Sequence, residues 1–251
     1  MTEWDAKTYD RLAAPQEEWA RDVLARLPLN GDETVLDAGC GSGRVTRLLA
    51  ERLPRGRVIG VDGSASMIAE AREALASYGN QVELIESDLL ELQLAEPVDA
   101  VFSNAAFHWV FDHEVLFGRL YEALKPGGRL AAQCGGAGNV ANWVAAVKRA
   151  AASKPFSEHL AGRPEPWHYA TPEKTQVRLE RAGFNRARCW LEERLVSPED
   201  PREYVAVVGL AAHHERLPAE LREPFTDAVV AELPEPLVLR YIRLNIEATA
   251  G

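Results

Sequence analysis

Three glycines at alternate positions, Gly39, Gly41 and Gly43, directly follow the run Val35-Leu36-Asp37-Ala38. Behind them, Val45, Leu48, Leu49 and Leu53 fall on one face of a helical segment that begins at Arg44. The order is therefore strand, glycine turn, helix. An open α/β sheet places its ligand crevice at the carboxyl ends of its strands. Glycines there permit positive φ and let a ligand approach the backbone. The first N–H groups of the following helix lack intrahelical partners and carry partial positive charge. The dinucleotide fingerprint G-x-G-x-x-G needs glycine or alanine where this chain has Arg44, so the spacing here is G-x-G-x-G. A tight turn with no ligand would look the same, and the rest of the chain has to discriminate.

The 251 residues suffice for one large domain or one domain with an insertion. A net charge of −10 argues against nucleic acid or an anionic membrane as the main partner. Cys40, Cys134 and Cys189 are widely separated and odd in number, with no C-x-x-C pair. Neither a disulfide framework nor a zinc site is expected, and reduced thiols fit a cytoplasmic protein. His213-His214 adjoins Glu215, but neighbouring helical side chains diverge, so no metal site is expected there. The polar start lacks a signal-peptide core, and no apolar run approaches a membrane span.

Strand and helix patterns alternate between residues 34 and 134. Apolar runs at 34–37, 57–61, 82–85, 98–102 and 129–134 read as strands, with helices between them at 44–53, 64–78 and 113–124. Lys125-Pro126-Gly127-Gly128 reads as a turn ahead of the fifth strand. This is the pattern of a doubly wound α/β sheet. Before it, residues 16–27 read as a helix. After it come a helix at 139–152, a Pro- and aromatic-rich loop or lid at 154–170, a helix opened by Thr171-Pro172, a strand at 188–196, helices at 198–213 and 218–233, and a last strand near 237–248. The expected organisation is one domain: N-terminal cap helices over 1–32, a cofactor-binding core over 33–135, and a cap or insertion with C-terminal strands over 136–251.

Three carboxylates, Asp37, Asp62 and Asp88, each close a predicted strand and would share one sheet edge. Asp62 follows the glycine turn at a distance suited to accepting two ribose hydroxyls. Asp88 is placed to accept from an adenine amino group, with Met67 and Leu89 as apolar faces for the base. Each aspartate alone is a common cap or turn residue.

The stretches Asp37-Ala38-Gly39-Cys40-Gly41-Ser42-Gly43, Gly60-Val61-Asp62-Gly63-Ser64, Ser87-Asp88-Leu89 and Lys125-Pro126-Gly127-Gly128 resemble the motifs of class I S-adenosylmethionine-dependent methyltransferases. The resemblance covers residues 34–134. It implies a seven-stranded, mostly parallel Rossmann-like sheet with a helical cap on the substrate side. By position it implies that Asp37, Gly39, Cys40, Gly41 and Gly43 hold the methionine end of the cofactor and that Asp62 and Gly63 hold the ribose. Met67, Ser87, Asp88 and Leu89 would hold the adenine, with Ser103 and Asn104 beside the methionine end. The segment from Ser103 to His113, with Trp4-Asp5 and Tyr9, is similar to trans-aconitate methyltransferases and related small-molecule carboxylate O-methyltransferases. Malonyl-carrier-protein methyltransferases are similar there too. The segment Pro166-Trp167-His168-Tyr169 resembles the same group's substrate-side insertion.

A carboxylate acceptor is already ionised at pH 7 and needs a clamp rather than a base. Arg163, His168, Tyr169, Arg240, Tyr241 and Arg243 are the candidates, and Trp4, Tyr9, Trp109 and Trp167 are candidates for the pocket wall. A hydroxyl or amine acceptor would instead benefit from a general base, for which His108 is placed after the fourth strand. A third possibility is a member that binds the cofactor without methylating. The sequence carries no sign of oligomeric state.

Overall fold

The computed structural model describes residues 14–251. Trp4 and Tyr9 lie outside the described residues. Seven strands form one sheet: β1 (Thr34–Ala38), β2 (Arg57–Asp62), β3 (Val82–Glu86), β4 (Val98–Asn104), β5 (Leu124–Gly135), β6 (Phe184–Val196) and β7 (Leu239–Ala250), in the order β3-β2-β1-β4-β5-β7-β6. The first five pair in parallel. β7 is antiparallel to both neighbours, so the sheet is mixed rather than wholly parallel.

The reversal follows from the connections. Residues 197–238 leave the carboxyl end of β6 and return to that same edge, where Leu239 pairs with Val196. A strand that re-enters from the carboxyl edge must run backwards. Residues 136–171 likewise leave β5 at this edge, so both long insertions stand over the strand ends where a ligand crevice belongs.

Alternation along the strands sorts the core into two layers. Val35 of β1 and Phe102 of β4 pack with Val23 of α1 (Ala14–Ala25) and Leu49 of α2 (Arg44–Arg52), and with Leu27 and Leu53 just past the ends of those helices. Leu36 and Val101 face the opposite layer, with Leu116, Phe117 and Leu120 of α4 (His113–Glu122), which follows α3 (Ala65–Ala74). The two insertions form a third cluster, with Trp143 and Val147 of α5 (Ala141–Ala152) against Phe225 and Val229 of the penultimate long segment, residues 219–231. Tyr241 of β7 and Trp19 of α1 belong to this cluster, so the cap is welded to the sheet.

Several boundaries depart from the sequence reading. Lys125–Gly128 does not precede β5 but bulges from it: Val98 pairs with Leu124 and Ala100 with Arg129, leaving four residues looped out of register. β6 begins at Phe184 and is broken by a register shift between Asn185 and Arg188, which hid its start. The continuous helix expected at 198–213 is instead two four-residue helices, Pro201–Tyr204 and Ala211–His214, joined by a π turn at Val205–Gly209. Gly209 lies flat against the Trp143 indole, where any β-carbon would collide. The lid at 154–170 is mainly irregular, with a four-residue helix at Ser157–Leu160.

The glycine turn is held tightly at two of its three positions. Gly39, Gly41 and Gly43 have φ of 84°, 55° and 82°. A β-carbon at Gly39 would strike Ala106 Cβ, and one at Gly43 would lie 2.7 Å from Leu75 Cδ1, whereas nothing lies within 4 Å of one at Gly41. Gly41→Ala is therefore expected to cost only the left-handed strain of ~1–2 kcal/mol. Gly39→Ala adds an overpacking cost of ~1–3 kcal/mol. Urea denaturation of the two variants checks this, and equal midpoints would contradict the close contact with Ala106.

Candidate functional site

The first half of the site is made by consecutive strand-to-helix turns. Gly39 N–H and Cys40 N–H both donate to the Val61 carbonyl, at 2.8 and 3.0 Å, tying the glycine turn to β2. Asp62, at the end of β2, accepts from Gly41 N–H and from Ser64 N–H, both at 2.9 Å. These two bonds fix the carboxylate at the mouth of the glycine turn. Asp62 is half-buried, and Gly63 beside it is half-buried too. Asp88 is exposed, and its side chain accepts from Leu90 N–H at 2.9 Å, which fixes the turn after β3. Met67 and Leu89 are buried, and Ser87 N–H donates to the Asp62 carbonyl at 3.0 Å. The three turns thus form one connected edge.

Asp37 and Ser103 lie beneath that edge rather than on it. Asp37 is 1% exposed and accepts from Thr46 Oγ at 2.7 Å, across the turn it precedes. Burial, with Asp62 nearby, pushes its carboxyl up to about 7. Ser103 is fully buried and donates to the Ala38 carbonyl at 2.6 Å, joining β4 to β1. The Cys40 side chain is buried toward Gly60, and burial raises its thiol well above the usual range. These three residues brace the turn. Asn104, at the end of β4, is half-buried.

The second half of the site is a pocket of about 530 Å³, open solvent at its mouth included, that begins at Ala105, immediately after β4. Ala105 holds the left-handed φ of 59°, unusual without glycine, and its N–H donates to the Gln133 carbonyl at 2.7 Å. Ala106, the next residue, is the one packed on Gly39. The glycine turn and the pocket are therefore adjacent.

The pocket floor comes from β7, where Tyr241 and Arg243 project to one face. Arg243 is 2% exposed. Its Nε donates to Gln133 Oε1 at 3.2 Å, and its guanidinium carbon lies 4.9 Å from the centre of the Trp19 ring. Tyr241 OH shares a hydrogen bond of 2.8 Å with Tyr204 OH, and burial raises its phenol above the usual range. One wall is aromatic. Trp109 meets Trp167 edge to face at 6.3 Å, and Trp167 stacks on Tyr169 at 5.9 Å. The roof is Val140, Trp143 and Val208 from the two insertions. Trp143 Nε1 is buried with no hydrogen-bond partner among the described residues.

His108 also lines this pocket, 8% exposed. Its Nδ1 accepts from Gly135 N–H at 3.3 Å. A neutral imidazole that accepts at one nitrogen carries its proton on the other, so Nε2–H is a donor. Burial lowers its pKa to about 3, helped by Arg243 and His113. His108 is neutral at any ordinary pH.

Of the other candidates, His168 does not face the pocket. Its ring stacks on His113 at 4.6 Å and its Nδ1 meets the Phe111 carbonyl at 3.1 Å. Its N–H donates to the His108 carbonyl at 2.7 Å, so it fastens the lid to the loop after β4. Arg240 is exposed and paired with Glu193, and Arg163 is exposed on the lid. Sequence reasoning did not identify Asn139, Val140, Trp143, Val208 and Gly209 as lining residues. One available signal was the alternation of Tyr241, Arg243 and Asn245 with Ile242, Leu244 and Ile246, which puts a polar stripe on a strand whose every side chain from 241 to 246 is buried.

Residues 35–128 match the family model described as a methyltransferase domain. The trans-aconitate 2-methyltransferase of Azoarcus sp. (strain BH72) is 47% identical over 133 residues, 53% of this chain and 51% of that protein. That of Rhodopseudomonas palustris (strain BisB18) is 42% identical over 133 residues, 53% and 50%. These matches span about half the length of the curated relatives. Among solved structures, Haemonchus contortus phosphoethanolamine N-methyltransferase 2 with S-adenosyl-L-methionine is similar at a TM-score of 0.63 and 21% identity, covering 98% of this chain and 56% of that one. The cyclase SpnF is similar at a TM-score of 0.61 and 17% identity, covering 93% and 81%. At such identities the likeness shows the fold alone.

The buried histidines set the direction of the pH dependence of stability. His108, His113 and His213 are lowered by burial to about 3, 4 and 4. Each takes up a proton on unfolding below its ordinary value of 6.5, so stability falls as pH drops from 6.5 toward 4. Asp37, raised to about 7, opposes this as a single group, because its native form is the one that binds the proton. Urea midpoints are expected to rise between pH 4.5 and 7, with a shallower rise in His213→Asn. A midpoint that falls over that range would contradict neutral buried histidines. Residues 35–128 thus match a methyltransferase-domain model, and in sequence motifs and in fold the chain is similar to the class I S-adenosylmethionine-dependent methyltransferases.

Proposed function

We propose that the chain is an S-adenosylmethionine-dependent methyltransferase whose acceptor is a carboxylate oxygen of a small molecule, as in the trans-aconitate methyltransferases it resembles. The observation that carries this reading is Arg243, a buried guanidinium in a pocket that opens beside the glycine turn. The reading treats residues 33–135 as the cofactor-binding core, and residues 1–32 and 136–251 as its cap and its C-terminal strands.

The residues present fit the cofactor. Space stands open over Gly41, whose φ of 55° and lack of neighbours leave room for a ligand against the backbone. Asp62 would take the ribose hydroxyls, and Asp88, Met67 and Leu89 would hold the adenine. When bound, S-adenosylmethionine supplies an electrophilic methyl group, and its transfer to a carboxylate oxygen gives a neutral ester and a neutral thioether with no proton released. Arg243 would hold one carboxylate, with His108 Nε2–H as a second donor. Trp109, Trp167 and the roof would exclude water, which matters because alignment and desolvation are the enzyme's main contributions to such a displacement.

The general-base alternative is less well served. A base at Nε2 needs a lone pair there, and the bond from Gly135 N–H to Nδ1 favours the tautomer that lacks it. A pKa near 3 also makes a weak acceptor of protons. A non-methylating role stays open to experiment because the fold is shared with a cyclase. Three free cysteines and the absence, among the described residues, of a helix long and apolar enough to cross a membrane support placing the enzyme in the cytoplasm. The acidic charge supports a small-molecule partner over nucleic acid.

Three measurements check the assignments. Arg243→Met keeps the volume and removes the charge. It is expected to raise KM for the carboxylate about tenfold or more, the loss of one charge-assisted contact of ~1.5–3 kcal/mol, while calorimetric affinity for S-adenosylhomocysteine stays unchanged. Asp62→Ala is expected to do the reverse, weakening S-adenosylhomocysteine about tenfold or more. Unchanged nucleoside affinity in Asp62→Ala would remove that residue from the ribose. For the wild type, kcat/KM is expected to be level from pH 6 to 8, because acceptor and Arg243 are both fully ionised there. A rising limb near pH 6.5 would instead favour a histidine base.

A further inference from the structure

We infer that Trp143 is the specificity residue that limits the length of the acceptor, its indole closing the pocket against the interior of the two insertions. This rests on the proposed reading that the acceptor is a carboxylate held in this pocket. Trp143 is 4% exposed and belongs to two groups of residues at once. With Val140 and Val208 it lines the pocket. With Val147, Leu210 and Phe225, all fully buried, it builds the apolar cluster between the insertions. The indole is thus the partition between the space open to a ligand and the sealed interior behind it.

Three features around this ring are unfavourable on local grounds. The helical pattern of the second insertion is interrupted by the π turn at Val205–Gly209, a rare form that recurs at functional sites. That turn brings Gly209 against the indole, where any β-carbon would collide with the ring, and a glycine inside a helical segment is itself destabilising. The indole Nε1 is buried with no hydrogen-bond partner among the described residues, and an unpaired buried donor is costly. Leucine or phenylalanine at 143 would join the apolar cluster with neither the unpaired donor nor so large a ring over Gly209. Local rules broken without a packing gain mark functional positions. What the indole supplies here, beyond a smaller apolar side chain, is bulk across the boundary of the pocket. Truncating it would leave a cavity that joins the pocket to the insertions.

The test is a methyl-transfer assay on the full chain with three acids: trans-aconitate and butanoate as compact acceptors, and decanoate as an extended one. In the wild type, the better of the two compact acids is expected to exceed decanoate in kcat/KM by about tenfold or more, since even one surplus methylene against an apolar wall can cost that much. Trp143→Leu is expected to lower that ratio by about tenfold or more, while calorimetric affinity for S-adenosylhomocysteine stays unchanged. Trp143→Phe, the smaller truncation, serves if the leucine variant does not fold, and is expected to move the ratio the same way by about threefold or more. A ratio unmoved in a folded variant, or a wild type that prefers decanoate, overturns the inference and leaves the carboxylate reading intact. Methylation of none of the three acids by protein that binds S-adenosylhomocysteine overturns both.

Discussion

Burying a guanidinium is costly unless it is paired and hydrogen-bonded, and much of the site is explained by what offsets that cost for Arg243. Arg243 sits in the middle of β7, where a charge would be rejected if it were not hydrogen-bonded. Its Nε donates to Gln133, and Gln133 Nε2 donates to Asn245 Oδ1 at 2.8 Å. Arg26 donates to that same oxygen at 2.7 Å and reaches Glu247 at 3.5 Å. A line of polar groups thus runs from the pocket, through the sheet, to carboxylates at the surface. The Trp19 ring faces the guanidinium as well. Ordering Arg243 therefore involves α1, β5 and β7 together.

The same placement sets the chemistry of its neighbours. Arg243 contributes to keeping His108 neutral and favours the ionised forms of Tyr169, Tyr241 and Cys134, against burial that pushes all three upward. Among the described residues that line the pocket, the result is one positive charge, Arg243, beside neutral donors. Under the proposed reading, such a surrounding suits an acceptor that arrives already ionised.

The glycine turn and the strand-end carboxylate beside it were legible in the sequence because their determinants are local. Gly39, Gly41 and Gly43 need positive φ, Asp62 needs only to end β2, and each fact follows from residues a few positions apart. The acceptor side was legible only in fragments. Trp167 and Tyr169 stood out by composition, and Arg243 was one of six candidates for the clamp. What separated Arg243 from Arg240 was the face of β7 each occupies and the reversal of that strand, which depend on a return from β6 over more than forty residues. His168 misled for the same reason: its distance from the pocket is set by stacking on His113, a contact between segments far apart in the chain. Asp37, Cys40 and Ser103 sit in the family's motif positions, yet their side chains point into the sheet, a distinction that spacing cannot express.

The central claim is methyl transfer to a carboxylate oxygen in the Arg243 pocket. It is tested most directly by the stability of the product formed from methyl-labelled S-adenosylmethionine. A methyl ester is opened by mild alkali and releases its label as volatile methanol, whereas N-, C- or phenolic O-methyl products keep it. The account expects alkali-labile label from the wild-type chain, lost in Arg243→Met. Alkali-stable label, or label transfer indifferent to Arg243, would contradict it.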